Sequence, residues 1–220
     1  MNFVAGQFPQ WALWLGDVLA LLLLGVALTQ VRWRALEGGA VNAWLGACVL
    51  LLGFWLGRAG LQPGLSFHLL GGTVFTLLMG PALALPALAV VLLGLAAGGQ
   101  LEWPALGLDY LLSLVPQVAL TALLLRVAQR RLAANVFVYV FVNAFLAGAG
   151  GMLLAACCGL AALALAGAYP LEHLLENALP YYGLLAWSEA FTSGLVMAIL
   201  IVYRPQWVAT FDDARYLDRQ

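Results

Sequence analysis

Four ionisable side chains lie inside long apolar stretches of the sequence, where lipid-embedded segments normally exclude them. They are Asp17, His68, Asp109 and Glu189. A charged residue at the middle of a membrane span costs about 2.5–3.5 kcal/mol on insertion scales, so each of the four calls for a reason. His68 is the strongest candidate for a functional residue, because a neutral imidazole is a common ligand of transition metals. A lone histidine can equally be a hydrogen-bonding residue, and the residue types alone leave both interpretations open.

The three carboxylates have structural interpretations as well. Asp17 could pair with Arg58, or it could take part directly in substrate binding. Asp109 could stabilise the positive N-terminal end of its own helix. Glu189 could couple movement to the substrate, or it could orient helices through hydrogen bonds. The candidate partners for those bonds are Ser188, Thr192 and Asn143.

The composition places these residues in a membrane protein. Hydrophobic residues make up 65% of the 220-residue chain and charged residues only 9%, and the mean hydropathy is +0.99. Such a chain must satisfy its backbone polar groups within lipid, and unbroken Leu, Ala and Val runs favour helices over a barrel. Apolar segments lie at about 11–31, 40–57, 67–79, 82–98, 105–126, 134–166 and 180–203. We therefore predict an all-α, polytopic membrane protein that forms one domain over residues 1–220.

The distribution of arginine predicts the topology, because cytoplasmic loops collect positive charge. With seven spans and an outer N-terminus, eight of the nine arginines fall on the inner face and only Arg58 falls on the outer face. Six spans, with one helix kinked at Pro81, would split the basic loops between the faces. Seven transmembrane helices, N-out and C-in, is therefore the better interpretation. Glu102, Asp109, Glu172 and Glu176 then lie on or near the outer face, where they either concentrate cations or are simply solvated loop charges.

Several classes of function are disfavoured. The chain contains no lysine, so it has no Walker A loop, and any ATP-driven step must use a nucleotide bound by another subunit. A net charge of −1 without a basic stripe argues against nucleic acid. An intramembrane hydrolase is a rival class, but Ser66 and His68 are the only nearby nucleophile and base, and no GxSxG element occurs. We therefore predict that the protein is not an enzyme.

Six short motifs between residues 65 and 207 carry a resemblance to a known family. In order they are FHLLGGT at 67–73, LMGP at 78–81, LGLD at 106–109, AGAYPL at 166–171, WSEAFT at 187–192 and RP at 204–205. Their order and spacing resemble the CbiM/NikM family, the substrate-specific membrane components of cobalt and nickel energy-coupling-factor ABC transporters. The stretch that ends at Asp109 usually ends in asparagine in that family. The resemblance implies a seven-helix, N-out binding subunit, in agreement with the distribution of arginine.

The resemblance also implies a metal site. In the family, a divalent metal is held in a plane by the N-terminal amine, by the backbone nitrogen and imidazole of a histidine at position two, and by a second histidine that matches His68. This chain has Asn2 at position two, and Tyr182 stands where the family often has histidine. The amine of Met1, the amide of Asn2 and the His68 imidazole would still supply three nitrogens, with a side-chain oxygen as a poorer fourth ligand. Such nitrogen-rich sites suit nickel or cobalt.

The sequence thus predicts a subunit of the bacterial inner membrane that binds a transition metal for uptake. The transported ion would be cobalt or nickel, no cofactor would be bound permanently, and separate ATPase and coupling subunits would supply the energy. Apart from the ion and those subunits, membrane lipid is the expected partner. The alternative is a metal-independent structural or assembly protein on the same scaffold, because position two lacks its histidine.

Overall fold

Most of the described part of the chain is helical. The computed structural model describes residues 1–31, 33, 38–57, 59–212 and 216. The helices in this part of the chain are α1 (Gln10–Gln30), α2 (Gly38–Leu56), α3 (Gly72–Met79), α4 (Pro81–Ala97), α5 (Trp103–Arg131), α6 (Val136–Leu165), α7 (Leu171–Asn177) and α8 (Leu179–Tyr203). A small antiparallel hairpin, β1 (Ala59–Gln62) and β2 (Leu65–Phe67), lies between α2 and α3. The all-α class predicted from the sequence is confirmed, and the hairpin is an addition to it.

Four helices, α1, α5, α6 and α8, are long and apolar enough to cross a membrane. The apolar helices Val41–Leu56 and Pro81–Ala97 are shorter, and α3 has only 8 residues. At 1.5 Å per residue α3 is about 12 Å long, which is less than half of a hydrocarbon core of about 30 Å. Large side chains such as Trp11, Phe137 and Leu184 point outward. This outward apolar surface is that of a multi-pass membrane protein.

The break between α3 and α4 separates two helices. Gly80 ends α3 with a φ of +79°, a conformation that glycine adopts without a steric penalty. Pro81 is the first residue of α4, where its missing N–H leaves no hydrogen bond unmade. The two helices pack against each other. The expected alternative of one helix kinked at Pro81 is therefore wrong.

Helix α5 contains a widened turn that matters for the site. The segment Tyr110–Leu114 is a π-helix, and it is followed directly by Val115 and Pro116. Pro116 has no N–H to donate to the carbonyl one turn earlier, so the regular hydrogen-bond ladder is interrupted at this point. The extra residue in the π turn rotates the side chains before Pro116 relative to a regular helix.

The close approach of α1 and α5 relies on small residues. A Cβ atom on Gly107 would collide with the backbone of Gly16 and Asp17. Likewise, a Cβ atom on Gly16 would lie 2.8 Å from the side chain of Leu108. Glycines at such contacts allow helix backbones to approach closely in lipid. Gly16 and Gly107 therefore allow α1 and α5 to pack closely against each other.

The larger buried core surrounds the beginning of the chain. Met1 and Phe3 are only 5% and 1% exposed, although they precede the first long helix. They belong to the same buried cluster as Leu70, Met152 and Tyr182. The first residues therefore lie inside the helical bundle.

Candidate metal site

The beginning of the chain is inserted as an extended segment. Asn2 pairs in antiparallel fashion with Gly64 in the turn of the β1–β2 hairpin. The side-chain amide of Gln7 donates to the carbonyl of Pro63 over 2.9 Å, and its oxygen accepts the N–H of Val4. The hairpin thus guides the first residues inward, with Met1 at the inner end.

Met1 lies against α6 at a position where no side chain projects. A Cβ atom on Gly159 would collide with the sulfur of Met1 and would also approach the Phe3 ring. Glycine at this position therefore makes room for the first residue of the chain.

Two carboxylates of the α5 region hold this segment. The N–H of Phe3 donates to Oδ1 of Asp109 over 3.0 Å, and Asp109 is 1% exposed. The N–H of Ala5 donates to Oε2 of Glu102 over 2.6 Å. A carboxylate that accepts a backbone N–H makes one of the stronger hydrogen bonds in proteins. Asp109 therefore binds the first residues of the chain. In the sequence-based interpretation it stabilises the end of its own helix, and that interpretation does not predict this contact.

His68 lies directly after β2 and before α3. Its ring packs on Trp55, with 4.8 Å between the ring centroids, and its Nδ1 lies 3.1 Å from the carbonyl oxygen of Leu69. A neutral imidazole that donates from Nδ1 to a carbonyl has its lone pair on Nε2, the arrangement usual for metal-binding histidines.

A small cavity brings Met1 and His68 together. It encloses about 10 Å³, which is room for one water molecule or one ion. Its lining consists of Met1, Ser66, His68, Leu70, Ser113, Met152, Ala155, Ala156 and Tyr182. Three of the predicted site residues, Met1, His68 and Tyr182, thus face one space, and Asn2 is the neighbour of one of them.

The segment that follows His68 is held by Glu189, which is 1% exposed. The N–H groups of Leu70 and Gly71 donate to its two carboxylate oxygens over 2.8 Å each. The side-chain NH₂ of Gln117 also donates to Oε1 of Glu189 over 2.8 Å. The side-chain oxygen of Gln117 accepts the N–H of Gly72. Glu189 and Gln117 therefore satisfy two N–H groups at the start of α3 that have no partner within the helix, and that of Leu70 just before it.

These contacts correct the expected partners of Glu189. Among the candidates, Ser188 instead donates to the carbonyl of Leu184 in its own helix. Both side-chain polar atoms of Asn143 are buried without a hydrogen-bond partner among the described residues. Glu189 joins α8 to the backbone next to His68. Because every residue except proline carries a backbone N–H, such partners cannot be identified from the residue types.

The remaining predicted residues have structural contacts. Asp17 accepts the N–H of Gly107 over 3.0 Å and so joins α1 to the N-terminal part of α5. Its expected partner Arg58 lies outside the described residues. The hydroxyl of Tyr182 donates to the carbonyl of Ser66 over 3.1 Å, and its ring contacts Phe67. Asp17 is not among the residues that line the cavity.

The donors at the cavity are of mixed type. Within the described ranges, no three His, Cys, Asp or Glu side chains form a metal-ligand group. An ion in this cavity would therefore need main-chain, hydroxyl or thioether donors beside the one imidazole. The sequence-based reasoning missed Ser113 and Met152 on the lining, because a serine and a methionine inside an apolar helix carry no distinctive pattern.

Comparisons with known proteins identify the family and the fold of the chain. The model of the family CbiM, described as "Cobalt uptake substrate-specific transmembrane region", matches residues 2–207. No curated protein sequence matches the chain. A crystal structure of a transition metal transporter is similar with a TM-score of 0.80 and 18% identity, over 91% of this chain and 92% of that one. A truncated transition metal transporter gives a TM-score of 0.81 and 18% identity, over 92% and 99% of the two chains.

The two structures show a shared fold, and the family match covers nearly the whole chain. The family comprises membrane components of metal uptake, and it is not a class of enzymes. The chain therefore belongs to the CbiM family of cobalt-uptake substrate-specific transmembrane regions.

Proposed function

We propose that the protein is the subunit that binds Co²⁺ or Ni²⁺ at the outer face of the bacterial inner membrane. The observation that carries this proposal is the single small cavity shared by Met1 and His68 in a chain of the CbiM family. The ligands would be the amine of Met1, the backbone nitrogen of Asn2 and Nε2 of His68. Nitrogen donors of this kind suit nickel and cobalt.

The anchoring of the two ligand-bearing segments supports the proposal. Asp109 holds the backbone two residues after Met1, and Glu189 holds the backbone two and three residues after His68. Replacement of the groups that orient metal ligands through hydrogen bonds typically lowers metal affinity by about 10- to 100-fold. Both carboxylates are buried, and their negative charge would also offset part of the charge of a divalent cation.

The direction of α5 supports an outer location of the site. Glu102, which binds the chain start, precedes the first turn of this helix, and Arg126, Arg130 and Arg131 lie toward its other end. Because basic residues collect on the cytoplasmic side, the chain start would face outward. We infer seven crossings with the N-terminus outside, in which α3 and the segment before it together make the third crossing.

Transport requires partners that this chain does not replace. With no lysine, the chain has no P-loop, so ATPase subunits and a coupling membrane subunit would supply the energy. The contribution of this chain is selective binding of the ion and movement that releases it.

The test is calorimetric titration of the purified protein with Co²⁺ and Ni²⁺. The wild type should bind one ion per chain in the micromolar range or tighter, and His68→Ala should abolish binding. His173→Ala is the matched control, because His173 is partly exposed and bonds to Gln62 outside the cavity. If the wild type binds neither ion, the metal-independent scaffold is the correct interpretation. If His68→Ala binds as the wild type does, the ion lies elsewhere.

A further inference from the structure

One polar side chain on the cavity has no role in the arrangement described so far. Ser113 is 3% exposed, and its Oγ atom has no hydrogen-bond partner among the described residues. The same side chain lines the cavity with Met1 and His68. Nearly all buried side-chain polar atoms in proteins are hydrogen-bonded, so a buried hydroxyl that is not calls for an explanation.

Three other hydroxyls of the helices each donate to a carbonyl of their own helix. Thr121 donates to the carbonyl of Gln117 over 2.8 Å, and Thr76 donates to that of Gly72 over 2.7 Å. Ser188 donates to the carbonyl of Leu184 over 3.2 Å. All three bonds join residues four apart, as is usual for serine and threonine inside helices. Ser113 departs from this pattern.

The π turn of α5 accounts for the departure. Ser113 lies in the π-helical segment Tyr110–Leu114, three residues before Pro116. In a π turn the carbonyl groups shift relative to a regular helix, so the usual acceptor four residues earlier is displaced. π turns of this kind occur frequently at functional sites. The hydroxyl is therefore available on the side of the cavity.

We propose that the hydroxyl oxygen of Ser113 is a ligand of the transported divalent ion. This proposal rests on the proposed function, since it adds a donor to the same cavity. The cavity has room for about one ion, so a donor on its lining lies within reach of an ion held by Met1 and His68. The resulting donor set mixes nitrogen with a neutral oxygen, which suits Co²⁺ as well as Ni²⁺.

Replacement of Ser113 separates this role from a structural one. Ser113→Ala should weaken Co²⁺ binding by about tenfold, in the range found when a group that supports a metal site is removed. Its melting temperature should stay equal or rise, because the change removes a buried hydroxyl that has no partner in the described structure. A hydroxyl with a purely structural role would show the opposite pattern, with lower stability and unchanged affinity.

A thiol at the same position provides a spectroscopic test. Ser113→Cys loaded with Co²⁺ should show a sulfur-to-cobalt charge-transfer absorption in the near ultraviolet, and it should bind Cd²⁺ more tightly than the wild type, because thiolates favour soft ions. Ser188→Ala and Ser188→Cys are the matched controls, since Ser188 is exposed and bonds within its own helix. All these variants retain the native cysteines, so a new absorption in Ser113→Cys alone identifies the introduced thiol.

The outcomes distinguish the two proposals. Weaker Co²⁺ binding by Ser113→Ala, together with the new absorption of Ser113→Cys, supports the hydroxyl as a ligand. If the wild type binds Co²⁺, His68→Ala does not, and both Ser113 variants match the wild type, the Ser113 proposal is wrong and the metal site stands. If the wild type binds neither Co²⁺ nor Ni²⁺, the proposed function is wrong and the Ser113 proposal falls with it.

Discussion

Replacement of Glu189 by glutamine tests whether α8 holds the His68 segment in place. Three N–H donors, from Leu70, Gly71 and the Gln117 side chain, point at the two carboxylate oxygens. A glutamine at position 189 has one oxygen and one NH₂ group. A rotation of the Gln117 amide would not restore the lost acceptor, because the Gln117 oxygen already accepts the N–H of Gly72. At least one donor would therefore face another donor in a buried site.

The size of the effect follows from this count. Hydrogen bonds to a charged group contribute about 1.5–3 kcal/mol each, so the loss of one bond weakens the docking of the 68–71 segment by about that amount. Because 1.4 kcal/mol corresponds to a factor of ten, the docked population relative to the undocked one falls by about 10- to 150-fold. The apparent dissociation constant for Co²⁺ rises by at most the same factor, since it scales inversely with the fraction of binding-competent protein.

The assay combines calorimetric titration with Co²⁺ and thermal unfolding in detergent. Glu189→Gln should raise the dissociation constant and lower the melting temperature. Ser188→Ala, a change at the neighbouring exposed residue, should alter neither. Unchanged affinity of Glu189→Gln for Co²⁺, with a melting temperature equal to that of the wild type, would refute the positioning role of Glu189.

Three further substitutions test the contacts of the chain start and the cavity. Gly159→Ala places a methyl group against the side chain of Met1 and should weaken Co²⁺ binding by calorimetry, whereas Gly183→Ala, which has open space around it, should not. Asp109→Asn retains an acceptor for the nearby backbone N–H but removes the charge, so Co²⁺ affinity should fall on the order of tenfold; equal affinity would exclude a charge contribution. Tyr182→Phe removes one hydrogen bond to a carbonyl and should lower the free energy of unfolding by about 0.5–1.5 kcal/mol without changing Co²⁺ affinity; a loss of affinity would make the tyrosine oxygen a ligand.

The helical architecture could be predicted from the sequence because lipid imposes simple rules. Long apolar runs and their Gly and Pro breaks predict most of the helices within a few residues of their observed ends. The hairpin at 59–67 and helix α7 are too short to give a periodic pattern, so they do not emerge from such reasoning. The sequence also does not predict that α3 is short. The residues around His68 are mostly apolar and resemble a continuation of the helix, whereas in the structure they form an irregular segment.

The chemistry of the site was only partly predictable. His68 stands out because an imidazole is rare in an apolar run, whereas the partners of Glu189 and Asp109 are mainly backbone N–H groups, which every residue carries. Ser113 is an ordinary residue in the sequence, and only the π turn before Pro116 gives it a special position. Residue types thus indicate which side chains are unusual in an apolar segment, and only the three-dimensional contacts show what those side chains bind.

Metal binding before and after release of an N-terminal extension tests the central claim most directly. The protein would be produced with a peptide fused ahead of Met1, which a protease then removes so that Met1 becomes the first residue. Calorimetry with Co²⁺ and Ni²⁺ on the same preparation should show no binding before cleavage and one ion per chain after it, because the extension blocks the amine and cannot fit in a cavity of about 10 Å³. Equal binding before and after cleavage would contradict the claim that the chain start and His68 hold a single ion.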